Sequence, residues 1–227
     1  MSHAELLART APASAWAMYR AMVGVGLLCG LLIVTVFQVT RPIIERNKAE
    51  ALQRAIFQVL PSARAGTTFR LSEDGGVEVL EGDQAGGARV HAGYDEEGRL
   101  VGFAVEAQGM GYQDVIRILY GYSPSDDAVI GIRVLESKET PGLGDKIETD
   151  AGFLENFRKL DVSLTGDGRI ANPIVTVKHG TKQHPWQVDG ITGATISSKA
   201  IGDILRQSTD WWIPRLRDDL DSFRKAE

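Results

Sequence analysis

Residues 189–195 read Asp189-Gly190-Ile191-Thr192-Gly193-Ala194-Thr195, and Ile196-Ser197-Ser198-Lys199-Ala200-Ile201 follow directly. The second part has the apolar spacing of a helix, expected over Ser197–Gln207. Gly193 and Ala194 are small enough for a tight turn and a close backbone approach, and Thr195 is expected at or near the N-cap. Two readings fit. One is a plain turn with a hydroxyl residue capping a helix. The other is an anion site: free N–H groups and the dipole at a helix start favour a phosphate, and a threonine hydroxyl there can bond to it or be esterified by it.

Two more glycine-rich patches lie upstream, Gly109-Met110-Gly111-Tyr112 and Glu139-Thr140-Pro141-Gly142-Leu143-Gly144. None of the three has Walker or Rossmann spacing. Pro141-Gly142 suits a type II turn. A loop of this kind can also lie against a flat ring, with Leu143 as the apolar contact and Glu139 or Thr140 as the hydrogen-bond partner. No serine stands beside a histidine in the way hydrolysis requires, and no catalytic residue is expected. His179 and His184 lie near Lys178, Lys182 and Trp186, but two histidines without a third ligand nearby read as a polar loop, and no metal site is expected.

Around these patches the alternation of apolar and polar residues predicts antiparallel strands. ARVHAGY (88–94) and RLVGFAVEA (99–107) alternate between glycine- and acid-rich turns, in a hairpin-like region spanning 67–108. Further strands are expected at Val115–Tyr120, Ala128–Leu135 and Ile174–Lys178, with a helix at Asp150–Lys159 and one more short helix in the Trp-rich tail.

The N-terminal side differs in kind. Ala21 to Thr40 contains no charged residue and is bracketed by Arg20 and Arg41. Twenty residues of helix span about 30 Å, the thickness of a bilayer's hydrocarbon core. No A-x-A cleavage pattern follows, so an uncleaved anchor is expected. Gly26 and Gly30 form a G-x-x-x-G pair that would permit close helix approach in lipid. Pro42 suits the start of a second helix, a stem whose stripe is Ile43, Ile44, Leu52, Ile56, Phe57 and Leu60, ended by Pro61. Arg9 and Arg20 precede the span, whereas Arg41, Arg46, Lys48 and Arg54 follow it. That count alone favours the C-terminal part on the cytoplasmic side.

Composition narrows the function. The 227 residues carry a net charge of -5, without the basic excess of a nucleic-acid protein. The single cysteine, Cys29 in the apolar span, excludes internal disulfides and cysteine-held metal clusters. Any redox role would therefore need an organic cofactor.

ESKETPGLGDKIE and VDGITGATISSKAI resemble the FMN-binding domain of the G subunit of the Rnf electron-transport complex. A related domain occurs in the C subunit of the sodium-translocating NADH:quinone reductase. The full E-T-P-G-L-G-D-K-I string favours the former. The insert GTKQHPWQ and the Trp-rich tail have no place in that pattern. The resemblance implies an α+β fold, a small FMN-binding domain of antiparallel strands with flanking helices behind one N-terminal transmembrane helix. The expected division is a short segment over 1–20, the span over 21–40, the stem over 41–60 and the domain over 61–227.

It also implies FMN carried as a phosphoester on Thr195. The other motif residues, Asp189, Gly190, Thr192, Gly193 and Ala194, would surround the attachment, and Glu139, Thr140, Gly142 and Leu143 would lie toward the ring. The implied role is electron relay in a membrane complex that couples ferredoxin and NAD chemistry to ion transport. Its partners would be the other subunits, the lipid bilayer and a flavin-attaching enzyme. The family places the domain on the periplasmic face of the inner membrane, against the charge count, and the length of the motif match outweighs that count. A membrane-anchored flavin reductase acting on a small acceptor, and an FMN-binding sensor or assembly module, are the rival readings.

Overall fold

The alternation of strands β3 (Ala88–Tyr94) and β4 (Leu100–Met110) sets the two faces of a sheet. Val90, Ala92, Phe103 and Val105 point into one buried layer, and Ala104 into another. The computed structural model describes residues 15–71, 77–80 and 88–224, which form two units, 1–50 and 51–227. Most of the N-terminal segment expected over 1–20, Arg9 included, and the last three residues of the tail lie outside the described residues.

In the first unit the only described element is helix α1 (Ala15–Val59), which continues into the second. It is long and apolar enough to cross a membrane, and Leu27, Ile33 and Phe37 are exposed along it. The expected restart at Pro42 does not occur, because Pro42 is interior to the helix. Proline leaves the carbonyl four residues earlier without its partner. Side chains brace this stretch: Thr40 Oγ1 donates to the Val36 carbonyl at 2.8 Å, and Arg41 pairs with Glu45 at 2.8 Å across the proline.

In the second unit a sheet of seven strands has the order β2-β1-β3-β4-β5-β6-β7, every neighbouring pair antiparallel. Besides β3 and β4 these are β1 (Ala65–Leu71), β2 (Val77–Val79), β5 (Val115–Ser123), β6 (Ala128–Glu136) and β7 (Leu160–Asp161). Short helices α2 (Lys146–Thr149) and α3 (Ala151–Glu155) replace the single helix expected over 150–159. Asp150 makes the break: its extended backbone ends one helix, and its carboxylate accepts from Phe153 N at 2.8 Å to cap the next. Strands β8 (Val175–Val177) and β9 (Gln187–Asp189) form a parallel pair.

Helix α4 (Thr195–Asp218) covers one face of the sheet. Ile201, Ile204, Leu205 and Ile213 join Val105, Ile116, Ile118 and Tyr120 in the main core. The helix is twice the expected length and takes in Trp211, Trp212 and Pro214. Helix α5 (Leu220–Arg224) follows, with Phe223 packed edge-on against Phe69 and Phe103.

The last turn of α1 covers the opposite face, where Ile56, Val59 and Leu60 pack on Ala104 and Leu119. Of the expected stripe, Ile43, Ile44 and Phe57 are exposed instead. The helix end approaches the sheet backbone closely because Gly93, Gly102, Gly121 and Gly131 lie beneath it: a Cβ at any of them would press on Val59, Leu60 or Ala63. Gly93 is paired with Gly102, and Gly121 with Gly131.

Candidate functional site

The Asp189–Thr195 stretch is a turn held from both sides. Gly190 N donates to the Val177 carbonyl at 3.0 Å, and a Cβ on Gly190 would lie 2.8 Å from that oxygen. Ala194 N donates to the Ile191 carbonyl at 3.1 Å, with Gly193 at φ +85° as a type II turn requires. Helix α4 then starts one residue earlier than the capping reading implies. Ala194 is its N-cap, no side chain caps it, and Thr195 is the first helical residue with its side chain exposed. The positive end of a long helix thus stands beside an exposed hydroxyl, an arrangement that can take an anion. Ser197 and Ser198 are buried hydroxyls here, and Ser198 accepts from Ile191 N and donates to the Thr195 carbonyl.

Asp189 faces inward. Both its carboxylate oxygens accept from Gly180 N, at 2.8 and 3.0 Å, and His179 Nδ1 lies 3.0 Å from the Gly190 carbonyl. Asn156, buried on the turn after α3, pairs with the Asp189 backbone like an extra strand. Its Nδ2 donates to Asp189 O at 3.2 Å, and its Oδ1 accepts from Asp189 N at 3.0 Å. Lys182 Nζ donates to the same Oδ1 at 3.0 Å, and burial pulls the Lys182 amine below its ordinary value, opposed by the charge of Asp189. The insert around Lys182 thus serves as a clasp on the motif.

The 139–144 loop adopts the expected turn: Leu143 N donates to the Thr140 carbonyl at 3.1 Å and Gly142 has φ +77°. Thr140 Oγ1 donates to Gln113 Oε1 at 3.3 Å. Glu139 has a different disposition from a ring partner. It is 5% exposed, and its carboxylate accepts from Tyr112 N at 2.9 Å, Gln113 N at 3.0 Å and Ser197 Oγ at 2.5 Å. Two of the glycine-rich patches and the first turn of α4, which follows the third, therefore meet at one side chain. Near this junction Met110, Tyr112, Leu143 and Ile196 are all more than half exposed. Thr192, Gly193 and Gly142 are exposed as well.

Among the sequence candidates, Thr195, Thr192, Gly193, Gly142 and Leu143 are open to a ligand, while Asp189, Gly190, Ala194 and Glu139 are buried or turned inward and shape the turns. Asn156, Ser197 and Ser198 were not among the candidates. Their only sequence signal is a polar residue on an otherwise apolar helical face. Among the described residues no cluster of three or more His, Cys, Asp or Glu is placed to hold a metal.

Residues 111–210, which include the glycine turn and the start of α4, match the model of the FMN-binding domain, and that match gives the class of this antiparallel sheet flanked by helices. The chain is 30% identical over 195 residues to the G subunit of the ion-translocating oxidoreductase complex of Methanosarcina acetivorans, covering 84% of this chain and 90% of that protein. It is also 30% identical over 187 residues to the G subunit of the same complex from Shewanella piezotolerans, covering 81% and 82%. The chain belongs to the family of ion-translocating oxidoreductase complex G subunits. In fold it is similar to the NqrC of Shewanella oneidensis, with TM-score 0.57 and 19% identity over 80% of this chain and 100% of that one. The C subunit of the Na(+)-translocating NADH-quinone reductase from Parabacteroides distasonis has TM-score 0.56 and 18% identity over 80% and 96%.

Proposed function

We propose that this chain is the electron-relaying subunit of a membrane-bound ion-translocating oxidoreductase that couples ferredoxin and NAD chemistry to ion transport, and that it carries FMN as a phosphoester on Thr195. The observation that carries the reading is the exposed Thr195 side chain on the first residue of an uncapped 24-residue helix. A phosphate esterified there meets the positive helix end, and the residues around it fit a flavin: Leu143, Ile196, Met110 and Tyr112 are exposed apolar or aromatic groups flanking the junction. FMN would supply the one- and two-electron redox chemistry that the side chains lack.

The chain's own residues hold and orient. Gly193 keeps the approach to the hydroxyl open, Asp189 and Asn156 fix the turn from behind, and Leu143 offers an apolar wall. The anchor is a single pass of α1 through the inner membrane with the domain on the periplasmic side. The partners are the lipid bilayer, the other subunits and a flavin-attaching enzyme. Attachment from a flavin phosphoanhydride donor would join Thr195 Oγ to phosphorus as the donor's other phosphate leaves and the hydroxyl proton is lost, a net addition of FMN less water.

The test is co-expression with the attaching enzyme. Denatured wild-type chain is expected to give a fluorescent flavin band and a peptide around Thr195 heavier by FMN less water, and Thr195→Ala is expected to give neither. A fluorescent Thr195→Ala band would move the attachment, with Thr192 next in line. No band from the wild type would remove the covalent reading.

A further inference from the structure

Glu139 is a carboxylate buried at the meeting point of three loops, and its surroundings are built for it. A Cβ at Gly144 would lie 2.7 Å from Glu139 Oε2 and 2.9 Å from Ser197 Oγ, and a Cβ at Gly111 would collide with Oε1. Glycine at both places lets the two loops close onto the carboxylate. Its oxygens bridge residues far apart in the chain: Tyr112 and Gln113 lie 27 and 26 positions away, Ser197 58 positions away. Among the described residues no Lys or Arg lies within ion-pair distance of it. Its charge rests on two backbone amides, a hydroxyl and the N-terminal turn of α4, the same turn that presents Thr195.

We propose that Glu139 is the positioning residue of the flavin site, locking the 111–113 turn, the 139–144 loop and the first turn of α4 into one receptor before the flavin arrives, and placing a fixed negative charge beside it. The proposal rests on the FMN reading above and deepens it. Geometry and charge have separate consequences. Without the three bonds the Thr195 hydroxyl and the Leu143 wall are no longer held together, so attachment slows, because a misplacement of about 1 Å can cost up to about a hundredfold in rate. Without the charge the site accepts an added electron more readily, so the bound flavin's midpoint potential rises.

The full chain in detergent, co-expressed with the attaching enzyme, separates the two. Glu139→Gln keeps the acceptor for the Tyr112 and Gln113 amides and can donate to Ser197 Oγ. It is expected to attach flavin as the wild type does, with a higher midpoint potential in a redox titration. Glu139→Ala is expected to attach flavin at least about tenfold more slowly while its circular dichroism stays that of a folded chain. Either an unchanged potential in Glu139→Gln or an unchanged attachment rate in Glu139→Ala overturns the proposal. Should Glu139→Ala fail to fold, Ser197→Ala takes its place, with slowed attachment expected and a wild-type rate overturning the proposal. A wild-type chain that takes no flavin at Thr195 would refute the FMN reading itself, a result distinct from either of these.

Discussion

Gly121 in β5 is the point where the end of α1 comes nearest the sheet, and an alanine there tests the reason for the glycines. The new Cβ would land on the Val59 carbonyl oxygen, with the carbonyl carbon at 2.9 Å and Leu60 Cδ2 at 3.2 Å. Carbon–carbon contacts settle near 3.5–4.0 Å, so backbone must move by roughly 0.6–1 Å. Trimming the Val59 side chain cannot relieve this, because the atoms struck are main chain. Overpacking of this kind costs about 1–3 kcal/mol. Burial of Ile56, Val59 and Leu60 contributes about 1.5–3 kcal/mol each, so the helix end is expected to stay docked under strain. For a domain of this size the loss lowers the melting midpoint by about 2–4 °C per kcal/mol, or about 2–12 °C in all.

Gly131→Ala meets Val59 Cα at 3.1 Å and should cost less, whereas Gly166→Ala faces open space. The assay is thermal unfolding of the full chain in detergent, with amide exchange over residues 52–60 as the local readout. The expected order of destabilisation is Gly121, then Gly131, then Gly166. If Gly121→Ala melts together with Gly166→Ala, the close-approach argument is wrong.

Two other perturbations address the site and its surroundings. Asn156→Leu removes both bonds to the Asp189 backbone and the acceptor of the Lys182 amine, and it is expected to cost about 2–4 kcal/mol in urea unfolding; a loss under about 0.5 kcal/mol would show that the clasp is ornamental. Glu106 is held below its ordinary value by His91, with Nε2 at 3.8 Å, and by the Arg117 guanidinium at 2.8 Å, against the opposing effect of burial. At 3.8 Å the imidazole acts across space, so Arg117 is the direct partner. A lowered carboxyl stabilises the fold fully above about pH 4.5 and loses that contribution as pH falls through its folded value. Glu106→Gln is therefore expected to flatten the acid limb of a stability–pH curve, and an unaltered limb would remove Glu106 as its source.

What the sequence disclosed follows from the range of each signal. The strands at 88–94 and 100–110 were legible because alternation is local. The type II turn at Pro141-Gly142 was legible because its chemistry sits in two adjacent residues. Strands β7 and β9, of two and three residues, carry no period to detect. Pro42 misled because proline's local cost is offset by surroundings that sequence does not display. Of the site, the exposed helix start at Thr195 was singled out from its motif. The inward role of Glu139 was not, because Ser197 becomes its partner only when α4 docks, and the glycines at 111 and 144 read as loop residues until the carboxylate between them is seen.

Tyr94 donates its hydroxyl proton to the Phe223 carbonyl at 2.7 Å, 129 residues further along the chain. Phe223 also fills the space between Phe69 and Phe103. The first strands of the sheet thus wait for a residue 129 positions downstream to be synthesised before their core can close. Thr195 is likewise delivered late, on the helix that completes that core. A chain interrupted during synthesis, or clipped before Phe223, would hold an unfinished interior beneath the Thr195 helix start. On the covalent reading proposed above, the order of manufacture is chain first, closure second, and prosthetic group last.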